Sequence, residues 1–397
     1  MTTYRTGLQP NLRIVALADD RGRIGLGETF WGGPAVEAYL HETTAPILAG
    51  IDDHSPLATA AALRPYAGFD GSGAEARGNG AIDMALWDLL GQATGQPLVR
   101  LLGGPVTHSM RVYNTCAGYD YVKSEAGQAS TNWGLPTNGP DGRPYEDLEG
   151  FLERPTELTR SLLDEGYSAM KVWPFDAAAE RSRGQDINAS ELREAMRTVE
   201  AIRVEGGDQM DVLVEMHSLW SLKAATKILG ALADIEPYWV EDPMRTDSVD
   251  AYRRLRERTT VPIAAGETLT GTRRFMPLLQ AGALDVAIVD AGWTGGISEA
   301  VKIASLADAH GVSFAPHDCT GPISFAVSLH IVASQPNGLI AETVRASQAS
   351  WYPEIAAGVP VVRNGAVDVP EAVGLGVTLR GDFIARSDTV ARTTSLS

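Results

Sequence analysis

Six residues, Glu215, Glu241, Glu267, Asp290, His317 and Glu342, each follow a short apolar run. They recur every 23 to 27 residues (215 to 241, 241 to 267, 267 to 290, 290 to 317, 317 to 342). Three carboxylates packed together repel, and one must take up a proton unless a cation is present. All-oxygen ligation by Glu215, Glu241 and Glu267 selects one hard divalent ion, Mg²⁺ or in its place Mn²⁺, over zinc, and leaves positions open for water or substrate. Any one of them alone could equally be the partner of an Arg or Lys. Asp290 and His317 stand on the next two elements, where a carboxylate on one imidazole nitrogen fixes the tautomer and raises the basicity of the other. That pairing makes His317 a general base. Glu342 has two readings: a carboxylic acid donating to a developing oxyanion, or a salt bridge with Arg345.

Lys171, in MKVWPF, stands on the other flank, where its ammonium can hold a substrate carboxylate and offset enolate charge. Because side chains on a strand alternate with period two, Trp173 shares a face with Lys171, and His217 with Glu215. His217 is then placed to protonate a leaving group, with metal ligation or a structural role as alternatives. Trp31, in ETFWGGP, and Trp293, in DAGWTGG, join Trp173 as candidate substrate contacts.

The spacing of the six residues equals one strand, one helix and two short loops, the unit of a (β/α) barrel whose strand C-termini carry the chemistry. The strands read as RVYNTCA, AMKVWPF, DVLVEMH, YWVEDP, PIAAGE, DVAIVDAG, VSFAPH and LIAETV, enough for a complete barrel. Upstream, LRIVALA and IGLGETF flank a turn at DDRGRIG, and apolar residues fall at helical spacing from about Ala35 to Leu48. A further helix is expected from Asn79, which can cap it, with Ile82, Ala85, Leu86 and Leu89 on one buried face. The expected division is an N-terminal α+β capping domain over 1–105, a barrel over 106–352, and a C-terminal segment over 353–397 that returns to the capping domain. Residues 118–147 are long for a βα loop and rich in Gly, Pro, Asn and aromatics, which suits a lid or binding loop, with a disordered excursion as the alternative.

The chain of 397 residues carries a net charge of −17, with 44% hydrophobic and 21% charged residues. This composition suits a globular enzyme and argues against nucleic-acid or anionic-membrane partners, which require Lys/Arg clusters. The opening MTTYRTGLQPNLRIV lacks a basic segment followed by an apolar one, and no uncharged apolar run approaches ~18 residues. Cys116 and Cys319 are too few for a disulfide framework and read as buried free thiols in a reducing cytoplasm.

The stretches IDMALWDLLGQATGQPLVRLLGG, KVWPFD, VEMH, VEDP, AGE, DAGWTGGISEA, APHDCTGP, AETVR and GLGVTL together resemble the mandelate racemase subgroup of the enolase superfamily over nearly the whole chain. The resemblance implies a capping domain that sets specificity and a modified TIM barrel that does the chemistry. It further implies one Mg²⁺ on Glu215, Glu241 and Glu267, and an Asp290–His317 dyad that removes the proton α to a carboxylate. The resulting enediolate is stabilised by the metal, Lys171 and Glu342.

Two departures from the family pattern stand out. Many relatives carry a second lysine where this chain has Trp173. Its absence beside His217 resembles acid-sugar dehydratases of the galactonate type. The other departure is that only about eleven residues precede LRIVALADD, where relatives carry another strand and a mobile loop. The leading expectation is a Mg²⁺-dependent acid-sugar dehydratase acting on a small sugar acid and assembling as a homo-oligomer. A racemase, epimerase or cycloisomerase is the rival enzyme, and a non-catalytic ligand-binding homologue the rival of another class.

Overall fold

The computed structural model describes residues 1–64, 73–124, 127–135 and 143–396. The chain opens with β1 (Thr2–Thr6), β2 (Leu12–Ala18) and β3 (Ile24–Phe30), antiparallel neighbours in a four-stranded sheet. The roughly eleven residues ahead of LRIVALADD thus include a strand, β1. What is short is the β1–β2 connection, residues 7–11. The fourth strand of this sheet is Thr389–Thr393, from the far end of the chain, paired antiparallel with β1.

A helix over Ala74–Thr94 lies across the sheet. Gly25 and Gly27 on β3 permit this closeness, since a Cβ at either would sit 2.0 and 1.9 Å from the Ala85 and Ala81 carbonyl oxygens. The helix begins five residues before Asn79, which does not cap it but accepts a hydrogen bond from the Tyr39 hydroxyl at 3.0 Å. Two of its buried carboxylates fasten it to other elements. Asp83 accepts from the Ser298 backbone N–H at 2.9 Å, and Asp88 from those of Leu26 and Leu375 at 3.0 and 2.9 Å.

Eight parallel strands then form the barrel: β4 (Ser109–Thr115), β5 (Ala169–Val172), β6 (Asp211–Glu215), β7 (Trp239–Glu241), β8 (Ile263–Ala265), β9 (Val286–Val289), β10 (Ser313–Pro316) and β11 (Ala341–Thr343). The pairing runs β10-β9-β8-β7-β6-β5-β4-β11. Phe314 closes the ring, donating to the Asn337 carbonyl and accepting from the Leu339 N–H, both at 2.9 Å. The strands are short and almost entirely buried, as expected of a parallel sheet covered on both faces. A helix over Pro322–Ser334 carries no charged carboxylate, Lys or Arg and is buried throughout, and it packs against both β3 and the barrel. Among the described residues, no helix is long and apolar enough to cross a membrane.

Candidate active site

The barrel interior is built in layers. Tyr113, Ala169, Leu213, Trp239, Ala264, Ile288, Ala315 and Ile340 are buried together across its lower part. Two residues further along seven of these strands the pleat returns to the interior, and the polar series begins: Thr115, Lys171, Glu215, Glu241, Asp290, His317 and Glu342. β8 is the exception, because Glu267 comes three residues after Ala264. Gly266 makes up the difference with φ of 126°, and a Cβ there would lie 2.5 Å from the Phe275 ring. Only glycine combines that backbone with that neighbour, so AGE resets the phase that brings Glu267 to the others.

Carboxylate oxygens of Glu215, Glu241 and Glu267 lie within 4.8 Å of one another. Lys171 Nζ is 2.9 Å from Glu241 Oε1, 2.9 Å from Glu342 Oε1 and 3.6 Å from Glu215 Oε2. Trp239 Nε1 donates to Glu241 Oε2 at 2.8 Å, and the backbone N–H groups of Met216 and His217 donate to Glu215 Oε1. Glu215 Oε2 is buried with no hydrogen-bond partner. Burial pushes the Glu241 carboxyl well up, with the other carboxylates adding to it against the pull of Lys171, and burial likewise raises Glu267. The cluster thus holds more negative charge than Lys171 offsets. Its orphaned oxygen and all-oxygen donor set fit a hard divalent cation. Mg²⁺ at a hundredfold excess over its Kd should stabilise the fold by about 2.7 kcal/mol, read as a rise in Tm. Glu241→Ala should abolish the rise, and an unchanged rise in that variant removes Glu241 from the ligand set.

Two imidazoles enter the same cavity. His317 Nδ1 is 2.8 Å from Asp290 Oδ2, while its Nε2 is 3.3 Å from Glu267 Oε2 and 3.5 Å from Cys319 Sγ. Burial opposes charge on this ring, but Glu267 and its acidic neighbours raise its pKa well above the usual value. His217 Nδ1 is 2.7 Å from Asp176 Oδ2, and its Nε2 is 2.9 Å from Gln128 Nε2. Here too burial is outweighed, by Asp176 and Glu215, and the pKa rises to about 9. His217 follows β6 and His317 follows β10, four places apart in a ring of eight strands, so the two dyads face each other.

Trp173 and His217 line the cavity with Lys171 and Glu215 as alternation predicts, although both lie just past the strand ends, β5 ending at Val172 and β6 at Glu215. His217 reaches the cavity through a left-handed turn, φ 46° there and 59° at Ser218, secured by the Ser218 N–H on the Asp242 carbonyl at 2.7 Å. Trp173 is wedged between Phe151, Tyr121 and the His217 ring, centroids 5.0, 5.4 and 5.8 Å away.

Of the two readings of Glu342 from sequence, the salt bridge with Arg345 is not formed. Arg345 pairs with Asp147 at 2.7 Å and Glu165 at 3.1 Å instead. Glu342 accepts from Lys171, from the Thr115 hydroxyl and from the Asp318 N–H at 2.6 Å. Against the effect of burial, Lys171, His317 and these hydrogen bonds hold its pKa down at about 2.

The cavity of about 290 Å³ is also lined by Trp31, Trp293, Arg77, Gln128 and Cys319. Trp31 has φ of 69°, a rare backbone for a bulky residue, and this turns the end of β3 over the site. Arg77, from the capping helix, stacks on Trp293 with Cζ 4.2 Å from the ring centroid. Cys116 is buried as expected, whereas Cys319 is only half-buried and stands at the cavity wall. Sequence reasoning missed Asp176, Gln128, Arg77 and Trp239. Asp176 stood in the quoted stretch KVWPFD, Trp239 in the strand YWVEDP two residues before Glu241, and Gln128 in the long 118–147 connection, whereas Arg77 carries no local signal.

Residues 155–383 match the Enolase C-terminal domain-like family, and residues 2–103 match the N-terminal domain of mandelate racemase / muconate lactonizing enzyme. The chain belongs to the enolase superfamily, in its mandelate racemase subgroup. It is similar to a solved enolase of that subgroup from Agrobacterium tumefaciens, 40% identical, with a TM-score of 0.86 over 98% of this chain and 96% of that one. It is 30% identical to a D-galactonate dehydratase from Verminephrobacter eiseniae over 83% of this chain and 77% of that one. It is also 30% identical to a D-gluconate dehydratase from Thermoproteus tenax over 75% of this chain, and the match spans 54% of that protein.

Proposed function

We propose that this protein is a Mg²⁺-dependent acid-sugar dehydratase that converts an aldonate-like acid to its 2-keto-3-deoxy product. The observation that carries the reading is the pair of His–Asp dyads facing each other across one carboxylate-lined cavity. An anti-type elimination uses a base on one side of the substrate and an acid on the other. The dehydratase names borne by relatives at about this distance support it.

Glu215, Glu241 and Glu267 would hold the cation, whose charge, when bound, lowers the energy of the negative charge developing on the substrate carboxylate. His317 Nε2 takes the proton α to that carboxylate, while Asp290 holds Nδ1 and the tautomer. Lys171, kept charged by Glu241 and Glu342, adds a fixed positive potential beside the same oxygens. His217 gives its Nε2 proton to the β-hydroxyl, which leaves as water while the electron pair from the α-carbon closes the double bond. The enol product then ketonises. Trp31, Trp173 and Trp293 wall the cavity and exclude water.

A second reading, epimerisation at the α-carbon, draws on the same opposed dyads, with His217 as the second base. Incubating the Mg²⁺-loaded enzyme with a panel of six- and five-carbon aldonates in deuterated buffer separates the two. Formation of 2-keto-3-deoxy acid is expected. Deuterium incorporation with inversion and no keto acid establishes the epimerase instead, and neither outcome on any acid sugar removes both.

A further inference from the structure

In this structure both nitrogens of His217 are engaged. Nδ1 is taken by Asp176, and Nε2, the nitrogen that faces the cavity, is met by the side-chain amide of Gln128 at 2.9 Å. The same amide nitrogen donates to the Tyr121 hydroxyl. Tyr121 rests on Trp173, and Trp173 on the His217 ring, so the four side chains close a circuit. Gln128 also lines the cavity. A group of the substrate that receives a proton from His217 must approach this amide.

The segment bearing Gln128 is fixed from both sides. From the capping domain, Asn11 Nδ2, in the short β1–β2 connection, donates to the Val122 carbonyl at 2.7 Å. From the barrel, Glu180 accepts from the Ser130 hydroxyl at 2.6 Å. Within the segment, Asn132 Nδ2 donates to the Gly127 carbonyl at 2.8 Å, and the Ser124 N–H donates to Asn132 Oδ1 at 3.0 Å. The amide is thus held by the fold and does not hang from a loose loop tip.

We infer that Gln128 positions the leaving hydroxyl. With the amide turned so that its carbonyl oxygen takes the place of the nitrogen that meets His217 Nε2 and Tyr121 here, that oxygen accepts the Tyr121 hydroxyl hydrogen and the hydrogen of the substrate's β-hydroxyl. That hydroxyl has one hydrogen to donate and lone pairs to accept with. Directing the hydrogen to Gln128 turns a lone pair toward His217 Nε2. As the carbon–oxygen bond breaks, the His217 proton completes water and the electron pair left at the α-carbon closes the double bond. The acid and the acceptor come from different elements, one after β6 and one from the segment that follows β4. An acid whose β-hydroxyl has the opposite configuration would present its hydrogen away from Gln128. Gln128 therefore selects the β-configuration of the acid sugar, an inference that rests on the dehydratase reading above.

The test compares two rates in Mg²⁺-loaded enzyme: exchange of the α-proton with deuterated solvent, and formation of keto acid. Gln128→Ala should lower keto-acid formation about tenfold, the effect of one lost hydrogen bond to a reacting group. Exchange should be reduced much less, and discrimination between β-epimeric substrates should narrow. Gln128→Glu, which keeps an acceptor oxygen, should restore elimination to within a few-fold of wild type. In ¹⁵N-labelled protein without metal or substrate, Gln128→Ala should move the His217 Nε2 signal and leave Nδ1 in place. Equal losses of exchange and elimination, or a Gln128→Glu variant as slow as Gln128→Ala, overturn the positioning role while leaving the dehydratase reading intact. A wild type that forms no keto acid from any aldonate overturns both.

Discussion

His317→Asn is expected to abolish α-proton exchange and turnover together. Loss of a general base is worth about 10²–10⁴-fold, and Asn retains enough of the shape and polarity to stay beside Asp290. The two activities fall together because both require the same first step. Lys171 does not substitute, since its ammonium is held 2.9 Å from each of two carboxylates. Asp290→Asn should cost less, because the ring remains but loses its fixed tautomer. The measurement is deuterium uptake at the α-carbon by NMR alongside keto-acid formation. Near wild-type exchange in His317→Asn would transfer the base role to another group.

His217→Ala should divide the reaction. With His317 and the carboxylate cluster intact, the α-proton should still exchange with deuterated solvent at close to the wild-type rate. Keto-acid formation should fall by about 10²–10⁴-fold, the usual worth of a positioned general acid. Asp176→Asn should give the same pattern with a smaller loss, because Asp176 acts only through His217. Loss of exchange together with elimination would mean that His217 serves to position the cluster. Its backbone N–H on Glu215 Oε1 at 2.7 Å allows that role, but alanine retains this bond. Retention of both activities would leave another group, such as His317 acting twice, to protonate the hydroxyl.

The amino-acid sequence by itself carried the repeat. A period of 23 to 27 residues gives eight strands and places a polar residue at each strand end, because pleat and layer packing leave few alternatives once the runs are apolar. It also gave the carboxylate triad and the Asp290–His317 pair, whose members sit on neighbouring strands. It did not reach what depends on groups brought together from distant segments. The orientation of His217 is set by a left-handed turn and by Asp176, 41 residues away. Gln128 meets His217 across 89 residues. A salt bridge with nearby Arg345 was one of the two readings of Glu342, yet Lys171, 171 positions earlier in the chain, is its ion-pair partner. Arg345 instead meets Asp147, 198 residues away. Local periodicity fixes which residues face inward. Which of those inward-facing charges pair is decided only when the barrel closes and the capping domain seals it, since burial penalises every unpaired charge and pairing is then chosen by distance in space.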